Sequence, residues 1–327
     1  MNPNRIESNA PSRPAPAWLR ATIALTRRMP FGRYRLLHWL RRLPVPPFIS
    51  PIGACDARMT FHCDLRDAIA SEVCFMGVYE PQETLVLRSI LDPGKVFVDV
   101  GANWGYFTLI AASLVGDRGR VLSFEPQPSL HGMLQRNLLL NRQSQIAARQ
   151  LAIAGEEGEM RLSGFSESNW GVSRLLGAGE EDPEAISVPV QRLERALANE
   201  NIDHVDLLKI DVEGAEALIL PTLKSDLDRR RFDWILVEFH PSALLDRKTS
   251  AEELIRLVLD RGYTAWVVKH DLDTSRRTAY GRVHRFQDIL TRHTERTPLD
   301  SWPHILFCAP GVQALIESPA KASGARQ

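Results

Sequence analysis

Two acidic residues lie where consecutive predicted strands end. Asp99 stands in the apolar run Val96–Val100, directly before the turn Gly101-Ala102-Asn103-Trp104-Gly105, and Glu125 follows the next run, Arg120–Phe124. In an open α/β sheet, ligands bind in the crevice at the carboxyl ends of the strands. Glycines at that point allow a tight turn and let a ligand approach the backbone closely. The pattern therefore predicts a ligand site at this edge of a sheet.

The residue types in this site favour a nucleoside ligand without a phosphate. A dinucleotide fingerprint requires Gly-x-Gly-x-x-Gly, but Asn103 occupies the middle position and the Asp99 carboxylate would repel a pyrophosphate. S-adenosylmethionine carries an ammonium group and a sulfonium, so Asp99 would face its amino group and Glu125 would accept hydrogen bonds from its ribose hydroxyls. The residues predicted to bind this donor around the two turns are Asp99, Gly101, Ala102, Asn103, Gly105, Tyr106, Glu125 and Pro126.

A second group of charged residues follows the predicted strands Val205–Ile210 and Trp234–Phe239. Strand alternation puts Lys209 and Asp211 on one face. Asp211 is predicted to contact the donor and to act as a base or orient an acceptor hydroxyl, whose proton must leave as the methyl group moves. His240 has an ordinary pKa near 6.5, which suits either a general base or a structural histidine at the following turn. The candidate catalytic residues are Lys209, Asp211, Glu238 and His240.

Glu213 and Glu216 lie at the N-terminal end of a predicted helix, where carboxylates stabilise the helix dipole, and for Glu216 this structural role is favoured. Asp211, Glu213, Glu238 and His240 could together supply oxygen ligands for magnesium or calcium, but their spacing does not require it and no metal is expected. Trp104 is expected to pack near the donor. Trp170 would either stack on a sugar ring or join a small local cluster.

These residues need a parallel sheet to bring them together. Strand-like runs alternate with helix-length segments, which predicts an α/β fold with helices on both faces of the sheet. The predicted strands are Val96–Val100, Arg120–Phe124, Ala147–Ile153, Val205–Ile210, Trp234–Phe239, Thr264–Val268 and His304–Cys308. The predicted helices are Tyr106–Leu114, Ser129–Asn141, Ala215–Leu223 and Ala251–Arg261. Residues 155–190 and 270–303 interrupt the pattern and are expected to be surface insertions that contact the acceptor.

Charge is distributed unevenly along the 327 residues, although 40 basic and 40 acidic residues cancel. Residues 1–50 hold nine Arg and one Glu, a net of +8, so the remaining body carries −8. An acidic body argues against a nucleic-acid partner. The four cysteines form no close pair, so the sequence does not support a zinc knuckle or a disulfide framework and favours a reducing, cytoplasmic setting. No apolar stretch approaches the ~20 residues of a membrane span.

The basic N-terminal segment has two interpretations. Residues 1–16 are expected to be a disordered leader. Residues 17–43 predict two short amphipathic helices broken at Pro30. They either pack on the main domain with their arginines in water, or dock on an anionic membrane surface or a lipid-linked substrate.

Several segments, in this order and spacing, make the chain similar to the FkbM-type S-adenosylmethionine-dependent methyltransferases. They are Gly77-Val-Tyr-Glu-Pro81, residues 92–108, Phe-Glu-Pro-Gln-Pro (124–128), Asn-Leu-Leu-Leu-Asn (137–141), Leu-Leu-Lys-Ile-Asp-Val-Glu-Gly-Ala-Glu (207–216) and Val-Glu-Phe-His-Pro (237–241). The resemblance spans roughly residues 75–310. It implies a seven-stranded, mostly parallel Rossmann-like sheet and transfer of the sulfonium methyl group, usually to a hydroxyl. No acid follows the third strand, so adenine would be held by backbone and apolar groups near Ala152.

The predicted organisation is a leader and basic helical extension (1–50), a lead-in segment (51–94), a methyltransferase domain (95–312) and a flexible tail (313–327). The predicted function is O-methylation of a sugar, glycolipid or secondary metabolite, in the cytoplasm, with peripheral membrane contact through residues 17–43 as one option. N-methylation and a non-catalytic donor-binding homologue stay open. A nicotinamide-dependent oxidoreductase is disfavoured by Asn103 and Asp99.

Overall fold

The computed structural model describes residues 13–54, 59–143, 145–164, 173–177, 179–283 and 285–312. Residues 1–12 of the predicted leader, Trp170 and the predicted tail at 313–327 lie outside the described residues. Within the described ranges, no helix is long and apolar enough to cross a bilayer.

Helices and strands alternate through most of these residues. The N-terminal elements are α1 (Ala17–Arg28), α2 (Arg33–Leu40), β1 (Phe48–Pro51), β2 (Thr60–Cys63), α3 (Ala68–Met76) and α4 (Pro81–Ile90). The next are β3 (Val96–Val100), α5 (Tyr106–Val115), β4 (Arg120–Phe124), α6 (Pro128–Asn141), β5 (Ile146–Arg149), β6 (Ala152–Ile153), β7 (Gly158–Ser163), β8 (Arg174–Leu175), β9 (Ile186–Gln191) and α7 (Leu193–Asn199). The last are β10 (Val205–Ile210), α8 (Glu216–Ile219), α9 (Lys224–Asp228), β11 (Phe232–Glu238), α10 (Pro241–Asp246), α11 (Ala251–Leu259), β12 (Thr264–Val268), α12 (Leu272–Ala279), β13 (Leu290–Arg292) and β14 (His304–Cys308).

Eight strands form the central sheet, in the order β13-β12-β14-β11-β10-β3-β4-β5. The five strands from β11 to β5 are parallel, and β14 lies antiparallel between β11 and β12. The predicted α/β class and mostly parallel sheet are confirmed. The seven predicted strands gain an eighth, β13, because residues 290–292 pair with β12 and form the edge of the sheet, inside a region that the sequence presented as irregular.

Strand alternation divides the core between the two faces of the sheet. In β3, Phe97 packs with the helices α3, α4 and α5, whereas Val98 packs on the opposite face with α7, α8 and α11. Both residues are fully buried, as in a central strand covered on both sides. This arrangement leaves the carboxyl ends of β3, β4, β10 and β11 at one edge, where the candidate site lies.

Two predicted elements are interrupted. The predicted strand Ala147–Ile153 ends at Arg149, because β5 is an edge strand and Arg149 turns to the surface to contact Glu200. The chain then enters a separate sheet in the order β6-β9-β7-β8. The predicted helix Ala215–Leu223 becomes α8 followed by a 3₁₀ turn at Leu220–Leu223, since Pro221 has no backbone N–H to donate within a continuous helix.

The N-terminal helices form at the positions that the sequence predicts and pack on the body of the protein. Leu19 and Ile23 of α1 and Leu37 of α2 are buried. Arg27 reaches inward and donates hydrogen bonds to the carbonyl oxygens of Cys74, Val73 and Pro51. One face of this extension is therefore part of the core.

Candidate functional site

A cavity of about 470 Å³ opens at the carboxyl ends of the parallel strands. Its size is in the range of small-molecule sites. Thirteen residues were predicted to bind the donor or to act in catalysis. Eleven of them line this cavity, and Asp99 and Gly105 do not. The eleven are Gly101, Ala102, Asn103, Tyr106, Glu125, Pro126, Ala152, Lys209, Asp211, Glu238 and His240.

The two turn glycines are required by packing. Gly101 has φ +92°, and a Cβ atom built there would lie 1.9 Å from the carbonyl oxygen of Asp211. Gly105 has φ +85°, and its Cβ would lie 2.4 Å from Leu134 Cδ1 on α6. A side chain at either position would separate the turn from its neighbours, so the glycines hold the turn close to β10 and α6 rather than only admitting a ligand.

Glu125 joins the two loops at the donor end of the cavity. Its Oε2 accepts a hydrogen bond from the Asn103 backbone N–H at 2.8 Å, and its Oε1 accepts one from the Gln127 N–H at 3.0 Å. Burial raises the pKa of this carboxyl to about 7. Ala152 and Ile153 form an apolar wall of the same cavity, as expected for adenine.

Asp99 does not line the cavity, contrary to the expectation that it faces the donor. It is buried, and its position in β3 directs the side chain toward α5, where Oδ2 accepts a hydrogen bond from Thr108 Oγ1 at 2.7 Å. Burial raises its pKa, while the Lys209 ammonium opposes that rise. Asp99 therefore supports the site from behind the wall.

Lys209 and Asp211 form an ion pair at the edge of β10. Lys209 Nζ lies 2.7 Å from Asp211 Oδ2 and 4.7 Å from the centre of the Phe107 ring. Burial alone would lower the pKa of Lys209, but Asp211, Asp99 and Glu80 raise it well above its ordinary value. Burial alone would raise the pKa of Asp211, and the ammonium lowers it. The pair is consequently fixed as ammonium and carboxylate.

Acidic groups crowd the part of the cavity beyond this pair. Burial together with the charge of Asp211 raises the pKa of Glu238 to about 11. Burial and the charge of Glu83 raise the pKa of Glu80 to about 8. Glu80 lines the cavity and adopts a left-handed backbone conformation with φ 39°. Such crowding favours protons or bound cations over free carboxylates.

His240 is buried between three carboxylates. Its Nδ1 lies 2.9 Å from Glu216 Oε1, and its Nε2 lies 3.4 Å from Glu213 Oε2 and 3.6 Å from Glu238 Oε1. Burial alone would lower the pKa of His240, but the hydrogen bond with Glu216 raises it. Glu216 thus orients an imidazole instead of only stabilising a helix end.

Sequence analysis did not select His304, His270 and Glu83, which complete this end of the cavity. Glu83 is buried, and its Oε1 lies 2.6 Å from His270 Nε2 and 2.9 Å from His304 Nδ1. The other nitrogen of His304, Nε2, lies 3.5 Å from Glu238 Oε1. His304 begins β14, whose place beside β11 follows from strand order and has no signal in the sequence. Glu83 and Glu80, by contrast, lie in or next to the Gly77–Pro81 motif.

Three groups of side chains in the described residues have the composition of a metal site, and two of them lie at this end of the cavity. The potential ligand atoms of Asp211, Glu238 and His240 lie within 4.8 Å of one another, as do those of Glu83, His270 and His304. The mouth of the cavity carries Arg41, Arg66 and the exposed Trp302.

A parallel sheet with a glycine turn after its first central strand, an acid after the next strand and a cavity at their carboxyl ends defines a Rossmann-like fold with a nucleotide-type site. The family model for the FkbM methyltransferase domain matches residues 99–265. The chain belongs to the FkbM methyltransferase family, and it is an S-adenosylmethionine-dependent enzyme.

Relatives of known identity match along much of the chain. It is 30% identical over 252 residues to the 31-O-demethyl-FK506 methyltransferase FkbM of Streptomyces tacrolimicus, covering 68% of this chain and 88% of the relative. It is 26% identical over 195 residues to Methyltransferase 1 of Beauveria bassiana, covering 53% and 74%. Among solved structures, Aeropyrum pernix fibrillarin with bound S-adenosyl-L-methionine is 14% identical, with 70% and 76% covered and a TM-score of 0.37.

Proposed function

We propose that the enzyme transfers the methyl group of S-adenosylmethionine to a hydroxyl oxygen of a small acceptor, a sugar, glycolipid or secondary metabolite. The observation that carries this proposal is the Lys209–Asp211 ion pair on the cavity wall, between the glycine turn and the acidic end. A carboxylate held in one position can receive a hydroxyl hydrogen bond and align the oxygen with the methyl group. The relative from Streptomyces tacrolimicus bears the name of an O-methyltransferase, which agrees with this chemistry.

The donor-binding roles follow from the cavity wall. Glu125 accepts hydrogen bonds from the ribose, the apolar groups at Ala152 and Ile153 contact adenine, and the backbone of residues 101–103 approaches the amino-acid end. Asp99, which is outside the cavity, acts through Lys209. This assignment places the sulfonium toward Asp211.

In the reaction the acceptor oxygen attacks the methyl carbon, a C–O bond forms and the C–S bond breaks. The electron pair of the C–S bond stays on sulfur, which leaves neutral S-adenosylhomocysteine, and the hydroxyl proton passes to the Asp211 carboxylate. Proximity and in-line alignment supply much of the acceleration, because the sulfonium is already activated. Lys209 keeps Asp211 ionised until the proton arrives.

Calorimetry and turnover together test this function. We expect S-adenosylhomocysteine to bind with micromolar affinity and NAD not to bind, and we expect labelled methyl groups to appear on a hydroxylated acceptor. Asp211→Asn should slow transfer by about 10²-fold or more while leaving S-adenosylhomocysteine affinity within about threefold. Wild-type turnover by the Asp211→Asn variant would remove its role, and a labelled amine product would replace O- with N-methylation.

The outer face of the N-terminal extension supports a second proposal about the partner. We propose that α1 and α2 contact an anionic membrane surface. Trp18, Leu25, Phe31 and Trp39 are 53–76% exposed although the opposite faces of both helices are buried. Residues 17–43 contain seven Arg and no acid. Exposed aromatic rings among arginines are typical of interfacial helices, and Arg41 connects this surface to the mouth of the cavity.

Vesicle co-sedimentation tests the membrane contact. We expect full-length protein to bind vesicles containing phosphatidylglycerol and to bind neutral phosphatidylcholine vesicles at least tenfold more weakly. The double variant Trp18→Ser/Trp39→Ser should lose most of this binding, whereas Trp302→Ser, which removes an equally exposed ring beside the cavity, should keep it. Equal binding by wild type and the double variant, or none by either, would refute the proposal.

A further inference from the structure

The geometry around Glu238 points to a divalent transition-metal site, and we propose that it binds one cation through His240 Nε2, His304 Nε2 and the Glu238 carboxylate. Both imidazole nitrogens face the same carboxylate oxygen, at 3.6 Å and 3.5 Å. A tetrahedral centre with bonds of about 2.0–2.1 Å separates neighbouring ligand atoms by about 3.4 Å. Each histidine nitrogen is therefore at ligand spacing from Glu238, and a cation bound there would draw the two histidines together.

The second nitrogen of each histidine supplies independent evidence. His240 Nδ1 lies 2.9 Å from Glu216 Oε1, and His304 Nδ1 lies 2.9 Å from Glu83 Oε1. Both glutamates are fully buried. A buried carboxylate on Nδ1 fixes the tautomer and turns Nε2 toward a ligand position, which is the usual second layer of a histidine metal site. This pairing of a histidine with a buried glutamate occurs twice. His240 follows β11 and His304 begins β14, and the Nε2 atoms of both face Glu238 Oε1.

The charge balance of the cavity agrees with a bound cation. Four acidic residues line this end of the cavity: Glu80, Asp211, Glu213 and Glu238. Arg41 and Arg66 lie at the mouth, so that among the described lysines and arginines only Lys209 lines this end. Two imidazoles with a carboxylate favour a transition metal such as manganese, iron or zinc over magnesium or calcium. The sequence predicted no metal because the spacing of the acidic residues and His240 at 211–240 does not require one, and His304 and Glu83 are distant from them in the chain.

This inference rests on the proposed O-methylation and extends it to the acceptor. Because Asp211 is paired with a buried ammonium at 2.7 Å, it accepts the proton of an alcohol more readily when that hydroxyl has first been made more acidic. A cation at Glu238 would bind the acceptor oxygen and lower the pKa of its hydroxyl. Three protein ligands leave the fourth position of a tetrahedral centre for a single hydroxyl oxygen of the acceptor.

Metal binding can be measured without turnover. Full-length protein freed of metal with a chelator is titrated with Mn²⁺, followed by electron paramagnetic resonance, and with Zn²⁺ in a competition assay. We expect one saturable Mn²⁺ site per chain. Glu238→Gln and His304→Gln each remove a metal ligand and should weaken Mn²⁺ binding by at least tenfold. Glu83→Gln removes the carboxylate that orients His304 and should weaken Mn²⁺ binding by about 10- to 100-fold.

His204→Gln is the matched control. His204 is an exposed histidine near Asp206 and Asp233, the third group with ligand-like composition, and its substitution should leave Mn²⁺ affinity unchanged. S-adenosylhomocysteine binding by each variant reports that its fold is intact.

Protein that binds S-adenosylhomocysteine but no Mn²⁺ and no Zn²⁺ overturns the metal site and leaves the methyltransferase function standing. Mn²⁺ binding lost in His204→Gln and kept in Glu238→Gln also overturns it. If the wild-type protein fails to bind S-adenosylhomocysteine, that result counts against the proposed donor site alone, because the metal ligands need no donor.

Discussion

Asp99 and Lys209 occupy paired positions on the neighbouring strands β3 and β10, and both side chains lie on the face of the sheet that α5 covers. The ammonium of Lys209 is thus held between a carboxylate behind the cavity wall, Asp99, and one on it, Asp211. One lysine thus balances the charge of a buried acid and of an acid that lines the cavity.

Lys209→Met tests this arrangement through stability. The substitution keeps the length of the side chain but leaves Asp99 and Asp211 without their cation, and removing one partner of a buried pair costs about 3–5 kcal/mol. We expect the free energy of unfolding in urea to fall by about 3 kcal/mol and methyl transfer to be lost. The control is Lys95→Met, whose partner is Asp206 at 2.6 Å but whose side chain is 39% exposed, so that its loss should cost about 1 kcal/mol or less. Equal losses in the two variants would contradict a special role for the Asp99–Lys209–Asp211 chain.

The ionisation of Glu125 predicts a pH dependence of donor binding. Its pKa is raised to about 7 in the free protein, and a ribose requires the carboxylate form as hydrogen-bond acceptor. We expect affinity for S-adenosylhomocysteine to rise about tenfold between pH 6 and pH 8. In Glu125→Gln the affinity should be lower at pH 8 and nearly constant with pH.

The stability of the free protein should change in the opposite direction. A carboxyl whose pKa is raised by folding binds its proton more tightly in the folded state, so its contribution to stability is present below the unfolded pKa of about 4.5 and is lost as pH rises through 7. Comparing the pH dependence of unfolding in wild type and Glu125→Gln isolates this contribution. An identical pH dependence of stability and of binding in both proteins would show that Glu125 does not titrate as proposed.

Local patterns predicted the elements that carry the donor site well, but they did not predict how distant elements meet. β3, β4 and β10 have the bounds that their apolar runs indicated, because a central strand buried on both faces leaves an uninterrupted signature. The side chain of Asp99 faces α5 instead of lining the cavity, and a sequence does not say which face α5 will cover. His304 could not be found because β14 reaches Glu238 by an antiparallel insertion between β11 and β12. Long-range pairing of this kind leaves no periodic trace.

Substituting Gly101 tests the close approach between the glycine turn and β10. Gly101→Ala would put a Cβ atom where the carbonyl oxygen of Asp211 lies 1.9 Å away, so the turn, Asp211 or both must move. Gly94→Ala is a control with almost the same backbone angle, φ +93° against +92°, but with no atom within 4 Å of the new Cβ. The left-handed conformation alone should cost Gly94→Ala about 1 kcal/mol of unfolding free energy. Gly101→Ala carries the same cost plus the overlap, which should add about 1–3 kcal/mol and weaken S-adenosylhomocysteine binding. Equal destabilisation of the two variants, with donor affinity unchanged in both, would mean that the turn tolerates a side chain and that Gly101 is needed for its backbone conformation only.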